Sequence, residues 1–479
     1  MLNVTDDASP RTRRLKQGLT GAVPLPGAAS RYDLTKTTET PVIQSVQTLF
    51  YCSRLPTRHR IAQEETIMIR ALSVLLLVSA LLSGCQVQDA YVAEPERTLI
   101  LISIDGMRSD YIEWFDTPNL DRLIAEGAHA SEGMIPAYPT KTFPNHYSIV
   151  TGLLPSNHGI VSNNMYDPEM DKTFAISDRD AVESEAWWSG GEPIWTAVQK
   201  QGANAASYFW VGSEAPFDGI RPEYWYIYDG SVPGNDRVDQ ALAWLDMPES
   251  ERPRFISLYF SEVDDAGHWN GPRAQETAQA VANVDGYIGR LLDGLEARGV
   301  YDRVNLMVVS DHGMSQLSPD RVVALDEYID LDDIRYFDGS PLIGLWPEDE
   351  KTQEIFEALD GAHPNLHVWL KDNLPERFRY ADNLRIPPII GHVDDGWSIA
   401  RTREWANDNP QQFTGGTHGY DNELQSMRAL FIGHGPAFQR GVTIEPFLNV
   451  ELYNVMADIL DIEPSPNDGT DGALDAILQ

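Results

Sequence analysis

The strongest constraint on this chain is an apolar run that stops on an acid. Residues 98–104 (TLILISI) show almost no alternation of polar and apolar side chains, and they end at Asp105-Gly106. A strand with one face in water alternates. A run that is apolar throughout suits a strand covered on both faces, as in a parallel sheet. Runs at 203–210, 254–260 and 304–309 repeat the pattern. Helix-like stretches at 192–201 and 273–298 alternate with them, and 429–432 and 450–460 add a last short strand and a helix. Such alternation predicts an α/β sandwich with a mostly parallel sheet between helices. Residues 315–415, rich in Pro, Asp and Trp, break the rhythm and read as an inserted subdomain close to the active site.

Hydrophobic residues are 42% of the 479, with 12 Trp, 19 Tyr and 15 Phe, which excludes a disordered acidic tail. Asp and Glu number 72 against 36 Lys and Arg, a net charge of −36. No positive field exists to neutralise a polynucleotide, so no stable nucleic-acid complex is expected. A phosphate substrate would need positive charge from something other than the surface. Cys52 and Cys85 are the only cysteines, which excludes a disulfide framework and a thiolate zinc site. Any metal must be held by His, Asp and Glu.

The N-terminal part reads as processing signal rather than fold. Met68-Ile69-Arg70, the apolar run 71–82 and Leu82-Ser83-Gly84-Cys85 have the order of a secretory signal. The run is short for a membrane-spanning helix, and a buried apolar helix is the competing reading. The ending resembles a bacterial lipobox, which implies lipidation of Cys85. Gln86 after it favours the outer membrane by the same resemblance. The expectation is therefore an upstream extension of 1–67 that is not native, a signal at 68–84, a linker at 85–97 and a catalytic domain at 98–479. The mature protein would be exported and lipid-anchored in the cell envelope.

The chemistry is expected where strands end. Asp105 follows one run, Asp264-Asp265-Ala266-Gly267-His268 another and Asp311-His312-Gly313 a third, while Gly416-Thr417-His418-Gly419 precedes a fourth. In open α/β sheets ligands bind at the carboxyl ends of strands. Carboxylates mixed with imidazoles favour zinc or a similar first-row ion. Each element alone is weak, since an Asp after a strand is often a turn residue; the set together is much stronger. In Pro139-Thr140-Lys141-Thr142-Phe143-Pro144, the proline suits the first turn of a helix. Thr142 would lie at the positive helix end, where an alkoxide and a phosphate are stabilised. The segment alone leaves nucleophile and N-cap equally open.

The stretches LISIDGMRSDY (101–111), YPTKTFPNHYSIVTGLLPSNHGIVSNNMYDP (138–168), VVSDHGM (308–314), THGYDN (417–422) and ALFIGHGPAF (429–438) resemble the nucleotide pyrophosphatase/phosphodiesterase family of the alkaline phosphatase superfamily. The resemblance runs from about 98 to the C-terminus. It implies an alkaline-phosphatase-like three-layer α/β/α sandwich and two zinc ions about one phosphate. By resemblance Asp105, Thr142, Asp311 and His312 hold one ion, and Asp264, His268 and His418 the other. Thr142 corresponds to the nucleophile and Asn163 to a donor to a phosphate oxygen. Phe143 and Tyr228 correspond to aromatic residues around a nucleotide base, and Ile176 to an apolar base contact. The implied activity is hydrolysis of nucleotide pyrophosphate and phosphodiester bonds through a phospho-threonine, releasing nucleoside 5'-monophosphates. A phosphodiesterase for lipid or choline headgroups is the rival reading within the family.

Overall fold

The computed structural model describes residues 97–479 apart from Asp349. The expectations for residues 1–96, the Cys85 anchor among them, lie outside the described residues.

Eight strands form the central sheet. They are β1 (Leu99–Ile104), β2 (Ala128–Ala130), β3 (Asn204–Tyr208), β4 (Tyr224–Tyr226), β5 (Pro253–Phe260), β6 (Asn305–Val309), β7 (Phe431–His434) and β8 (Val442–Ile444). Across the sheet the order is β8-β2-β7-β6-β1-β5-β3-β4. β1 runs parallel to β5 on one side and to β6 on the other, and β3 and β4 continue in parallel beyond β5. β7 is antiparallel to both of its neighbours, β6 and β2.

The apolar character of β1 follows from its two covered faces. Leu99 and Leu101 enter one cluster with Tyr147, Ile149, Trp195 and Leu452. Ile100, Ile102 and Ile104 enter the opposite cluster with Leu123, Val238, Val281 and Leu291. Each such side chain, fully buried, contributes roughly 1.5–3 kcal/mol. The first cluster lies under α1 (Thr142–Thr151) and the helices Ile194–Lys200 and Leu452–Leu460. The second lies under α3 (Gln275–Ala297) and the helices Pro118–Glu126 and Gly234–Leu245. Sheet and two helical layers make an α/β/α sandwich.

Parallel register sets the strand ends level. Ile104 stands opposite Phe260, and Ser103 opposite Val309. Asp105 N–H donates to Phe260 O at 2.9 Å. The chain therefore leaves β1, β5 and β6 at one edge, and the residues that follow all start from there. After β5 the chain turns into α2 (Glu262–Asn270).

Within 315–415 the architecture changes. Ser315–Gln316 pairs antiparallel with Gly416–Thr417. Between these two strands lies a four-stranded antiparallel sheet ordered Ile334–Gly339, Leu342–Pro347, Ile389–Val393, Leu366–Leu370. It has its own apolar cluster, with Ile343, Leu345, Ile355 and Ile389, and that cluster also takes in Tyr420, two residues past His418.

Candidate metal centre and nucleophile

The expected ligands arrive from separate elements. Asp105 directly follows β1, and Asp311 and His312 lie just beyond β6. His418 follows the strand Gly416–Thr417. Asp264 and His268 sit on the helix after β5, α2, at i,i+4 spacing, so both face one side. Two glycines permit the approach. Gly106 takes φ +67°, and a Cβ there would come 2.9 Å from Asp264 Cα. Gly419 takes φ +117°, and a Cβ there would come 2.6 Å from Lys141 Cε. Both demand the left-handed region and a bare backbone.

Thr142 is the first residue of α1, and Lys141 takes the N-cap position with φ −117° and ψ 152°. The cap alternative for Thr142 therefore does not describe this helix end. The Thr142 Oγ1 lies 3.2 Å from His312 Nε2.

Ligand atoms of Asp105, Asp311 and His312 all lie within 4.8 Å of one another, and so do those of Asp264, His312 and His418. His268 adjoins the second group, its Nε2 3.4 Å from Asp264 Oδ2 and its ring 5.0 Å from that of His418. The His312 and His418 rings stack at 3.5 Å. Each of the three histidines places Nδ1 against a backbone carbonyl: Gly416 O at 2.9 Å for His268, Gly313 O at 2.9 Å for His312, Thr140 O at 2.8 Å for His418. A carbonyl only accepts, so Nδ1 carries the proton and Nε2 is left as a donor atom for a metal.

The charge pattern calls for a cation. Burial pushes the Asp105 carboxyl well above its usual range, and the Asp311 and Asp264 charges push it further. Burial raises Asp264 as well. Burial opposes ionisation of Asp311 too, but His312 and His146 outweigh it and hold that carboxyl well down. Burial and the neighbouring His312 and His268 keep His418 well below its ordinary value. Asp105 Oδ1, Asp264 Oδ1 and Asp311 Oδ2 are buried without a hydrogen bond. Crowded carboxylates, orphaned oxygens and imidazole Nε2 atoms turned toward them fit first-row dications.

The sequence profile of type I phosphodiesterase / nucleotide pyrophosphatase matches residues 99–421. The chain belongs to this family.

Among its relatives, ectonucleotide pyrophosphatase/phosphodiesterase family member 3 of Mus musculus is 42% identical over 391 residues, 80% of this chain and 44% of that protein. A venom phosphodiesterase of Macrovipera lebetinus is 41% identical over 407 residues, 83% of this chain and 46% of the other. The chain thus spans less than half the length of these relatives. Among solved structures, murine ectonucleotide pyrophosphatase / phosphodiesterase 5, as an inactive threonine-to-alanine variant in complex with AMP, aligns with TM-score 0.75 and 34% identity. The alignment covers 80% of this chain and 100% of that one. The sandwich is accordingly of the alkaline-phosphatase-like kind found in this family.

In this phosphodiesterase-family chain the ligands rest on a second layer of side chains. Tyr259, on β5, donates its hydroxyl to Asp105 Oδ2 at 2.6 Å. His146, one turn along α1 from Thr142, lies with Nδ1 2.9 Å from Thr142 O and 3.4 Å from Asp311 Oδ2. Its Nε2 meets Ser103 Oγ at 2.8 Å. These groups tie Thr142, Asp105 and Asp311 to the sheet. Sequence reasoning missed all three; the available signal was a polar Ser103 inside the otherwise apolar TLILISI.

The expected substrate residues gather in part. Asn163 Oδ1 accepts from Phe143 N at 2.9 Å, and Asn163 O accepts from Ile176 N at 3.2 Å. Its amide oxygen being used, the amide NH2 is the group left to donate outward. Phe143 and Ile176 pack against one core cluster and Tyr228 against the other, beside Tyr259 at 6.0 Å. Arg179 pairs with buried Glu214, which also takes the Tyr228 N–H at 3.3 Å. The Ile176 and Tyr228 segments are thereby joined.

Proposed function

We propose that this chain hydrolyses nucleotide pyrophosphate and phosphodiester bonds by way of a covalent phospho-threonine on Thr142, with two zinc ions held by Asp105, Thr142, Asp311 and His312 and by Asp264, His268 and His418. The observation that carries it is the Thr142 hydroxyl at a helix N-terminus, 3.2 Å from His312 and beside buried carboxylates that each keep one oxygen without a donor. The loss of activity in a threonine-to-alanine relative that binds AMP supports the same reading.

Bound zinc would supply Lewis acidity, acidifying a hydroxyl and stabilising negative charge on phosphoryl oxygens. The rest belongs to the protein. The Thr142 hydroxyl gives its proton to water, its Oγ1 forms a bond to phosphorus as the bond to the leaving oxygen breaks, and the departing group takes that electron pair. Water then cleaves the threonine–phosphorus bond, restoring the hydroxyl and releasing a nucleoside 5'-monophosphate. The Asn163 amide donates to a non-bridging oxygen, where charge concentrates. Phe143, Ile176 and Tyr228 hold the base. Attachment to an envelope membrane through lipidated Cys85 is part of the reading; mass spectrometry of membrane-extracted protein should find an acylated Cys85, and an unmodified mature N-terminus elsewhere refutes it.

A diester presents one negative charge at the reacting group and a monoester nearly two. Lys141, the neighbour of Thr142, faces Asp338 and donates to Ser340 O at 3.3 Å. The test compares catalytic efficiency on a nitrophenyl nucleotide diester, nitrophenyl phosphate and nitrophenyl phosphocholine. The nucleotide diester should lead. Equal efficiency on the monoester refutes the assignment, and a lead for the choline ester transfers it to the headgroup-directed reading.

A further inference from the structure

The insertion has a carboxylate pointed at the catalytic loop. Asp338 lies on the strand Ile334–Gly339, is 8% exposed, and stands opposite Gly344 across the antiparallel pair. Its Oδ2 accepts the Ser162 hydroxyl. The Asn164 side chain, the Gly339 backbone and the Lys141 ammonium also face it. Ser162 and Asn164 are the two chain neighbours of Asn163, and Lys141 is the neighbour of Thr142. Asp338 therefore bonds the residue before Asn163 and faces the residue after it.

The hairpin that starts there is docked on the same subdomain. Asn164–Asp167 pairs with Lys172–Ala175. Tyr166 contacts Trp346 at 5.3 Å and Tyr336 at 6.2 Å, and Arg335 covers the Tyr166 ring at 5.3 Å. Asn163 itself has its oxygen committed to Phe143 N and its carbonyl to Ile176 N. Its NH2 can point usefully only while the backbone at 162–164 holds still.

We propose that Asp338 is a positioning residue for phosphodiester cleavage, which fixes the Asn163 amide by holding the adjacent Ser162 and so makes the insertion part of the catalytic apparatus. The inference rests on the proposed role of Asn163 as a donor to the phosphate. A carboxylate is suited to the task because it is acceptor-only and can take several donors at once, and buried charge-assisted bonds are short and directional.

The test is a double-mutant cycle on the full chain loaded with zinc, assayed on a nitrophenyl nucleotide diester. Removing one preorganised donor to a developing charge costs about 10²–10³ in kcat, and loss of its alignment should cost less. Asp338→Ala is expected to lower kcat by about tenfold or more, with KM changed less than kcat and zinc content unchanged. Asp338→Asn, which retains one acceptor oxygen, should recover part of the loss. In an Asn163→Ala background the further effect of Asp338→Ala should shrink to about twofold or less, since nothing remains to be positioned. Wild-type kcat for a folded Asp338→Ala protein overturns the proposal. So does an equal fold-loss in both backgrounds, which would mean a general structural role. If Asp338→Ala does not fold, as judged by circular dichroism, Asp338→Asn takes its place in the cycle under the same criteria. Wild-type kcat for Asn163→Ala alone refutes instead the donor role on which the inference rests.

Discussion

The hydroxyl of Tyr259 offers a sharp test of how the metal centre is held. Tyr259→Phe removes one oxygen and leaves the ring, which packs against His146 at 5.3 Å and Tyr228 at 6.0 Å. The lost bond is short, 2.6 Å, buried, and made to a carboxylate. Asp105 Oδ2 then keeps no partner in the protein, and an unsatisfied buried acceptor costs about 1–3 kcal/mol. At about 1.4 kcal/mol per decade that is roughly 5–150-fold, in line with the 10–100-fold typical of outer partners of metal ligands. The loss should fall on metal affinity first, because Asp105 is freed to swing from its ligating position. Competition with a graded chelator, read by zinc content, gives that affinity; kcat on the nucleotide diester at saturating zinc gives the remaining catalytic effect. Unchanged zinc affinity together with unchanged kcat would refute the view that this bond orients the ligand.

Thr142→Ala should abolish turnover by several orders of magnitude while zinc content and melting temperature stay near those of the parent; wild-type-like turnover would remove Thr142 from the mechanism. Exhaustive chelation should silence the enzyme and zinc should restore it, with about two ions per chain by elemental analysis; full activity without metal refutes the site. Replacing Phe143 and Tyr228 by Ala should weaken cleavage of a nucleotide diester, at roughly 1–3 kcal/mol per lost base stack, yet leave a diester without a base nearly untouched; parallel losses on both substrates would contradict a base clamp. His158, buried beside Ser148 Oγ at 3.0 Å, is held down to about 3 by burial. Its value in the unfolded chain is about 6.5, so the unfolded state binds the extra proton between those values, and the stability present above about pH 6.5 is lost as pH falls. His158→Gln should flatten the fall of melting temperature between pH 6.5 and 4; an unaltered slope would argue against it.

What could be read in the sequence was whatever is written in contiguous residues. β1, β3, β5 and β6 are mostly apolar runs because two helical layers cover them, and that cause leaves a local mark. β2, β4 and β8 have three residues each, too few to show a period. The reversed direction of β7 is set by pairing with β6 and β2, not by its own residues. Ligand types at strand ends were legible, but the placement of Asp264 and His268 on one helix face was missed, since DDAGH reads equally as a loop. Tyr259 and His146 are buried residues whose second role depends on partners more than a hundred positions away, Asp105 for Tyr259 and Asp311 for His146. Asp338 was invisible for the same reason, its partner Ser162 being brought to it only by docking of the insertion.

The spread of the ligands from Asp105 to His418 has a consequence for how the protein is made. A ribosome adding about 5–20 residues per second delivers the first acid some fifteen seconds or more before the last imidazole. No nascent fragment short of His418 holds both proposed sets, so completion of the two-metal centre would be a late event. Until then three mutually repelling acids face one another in a forming core. Once metal arrives, its free energy of binding adds directly to that of folding. Metal supply would then act as a quality checkpoint, separating finished chains from those stalled or cut short.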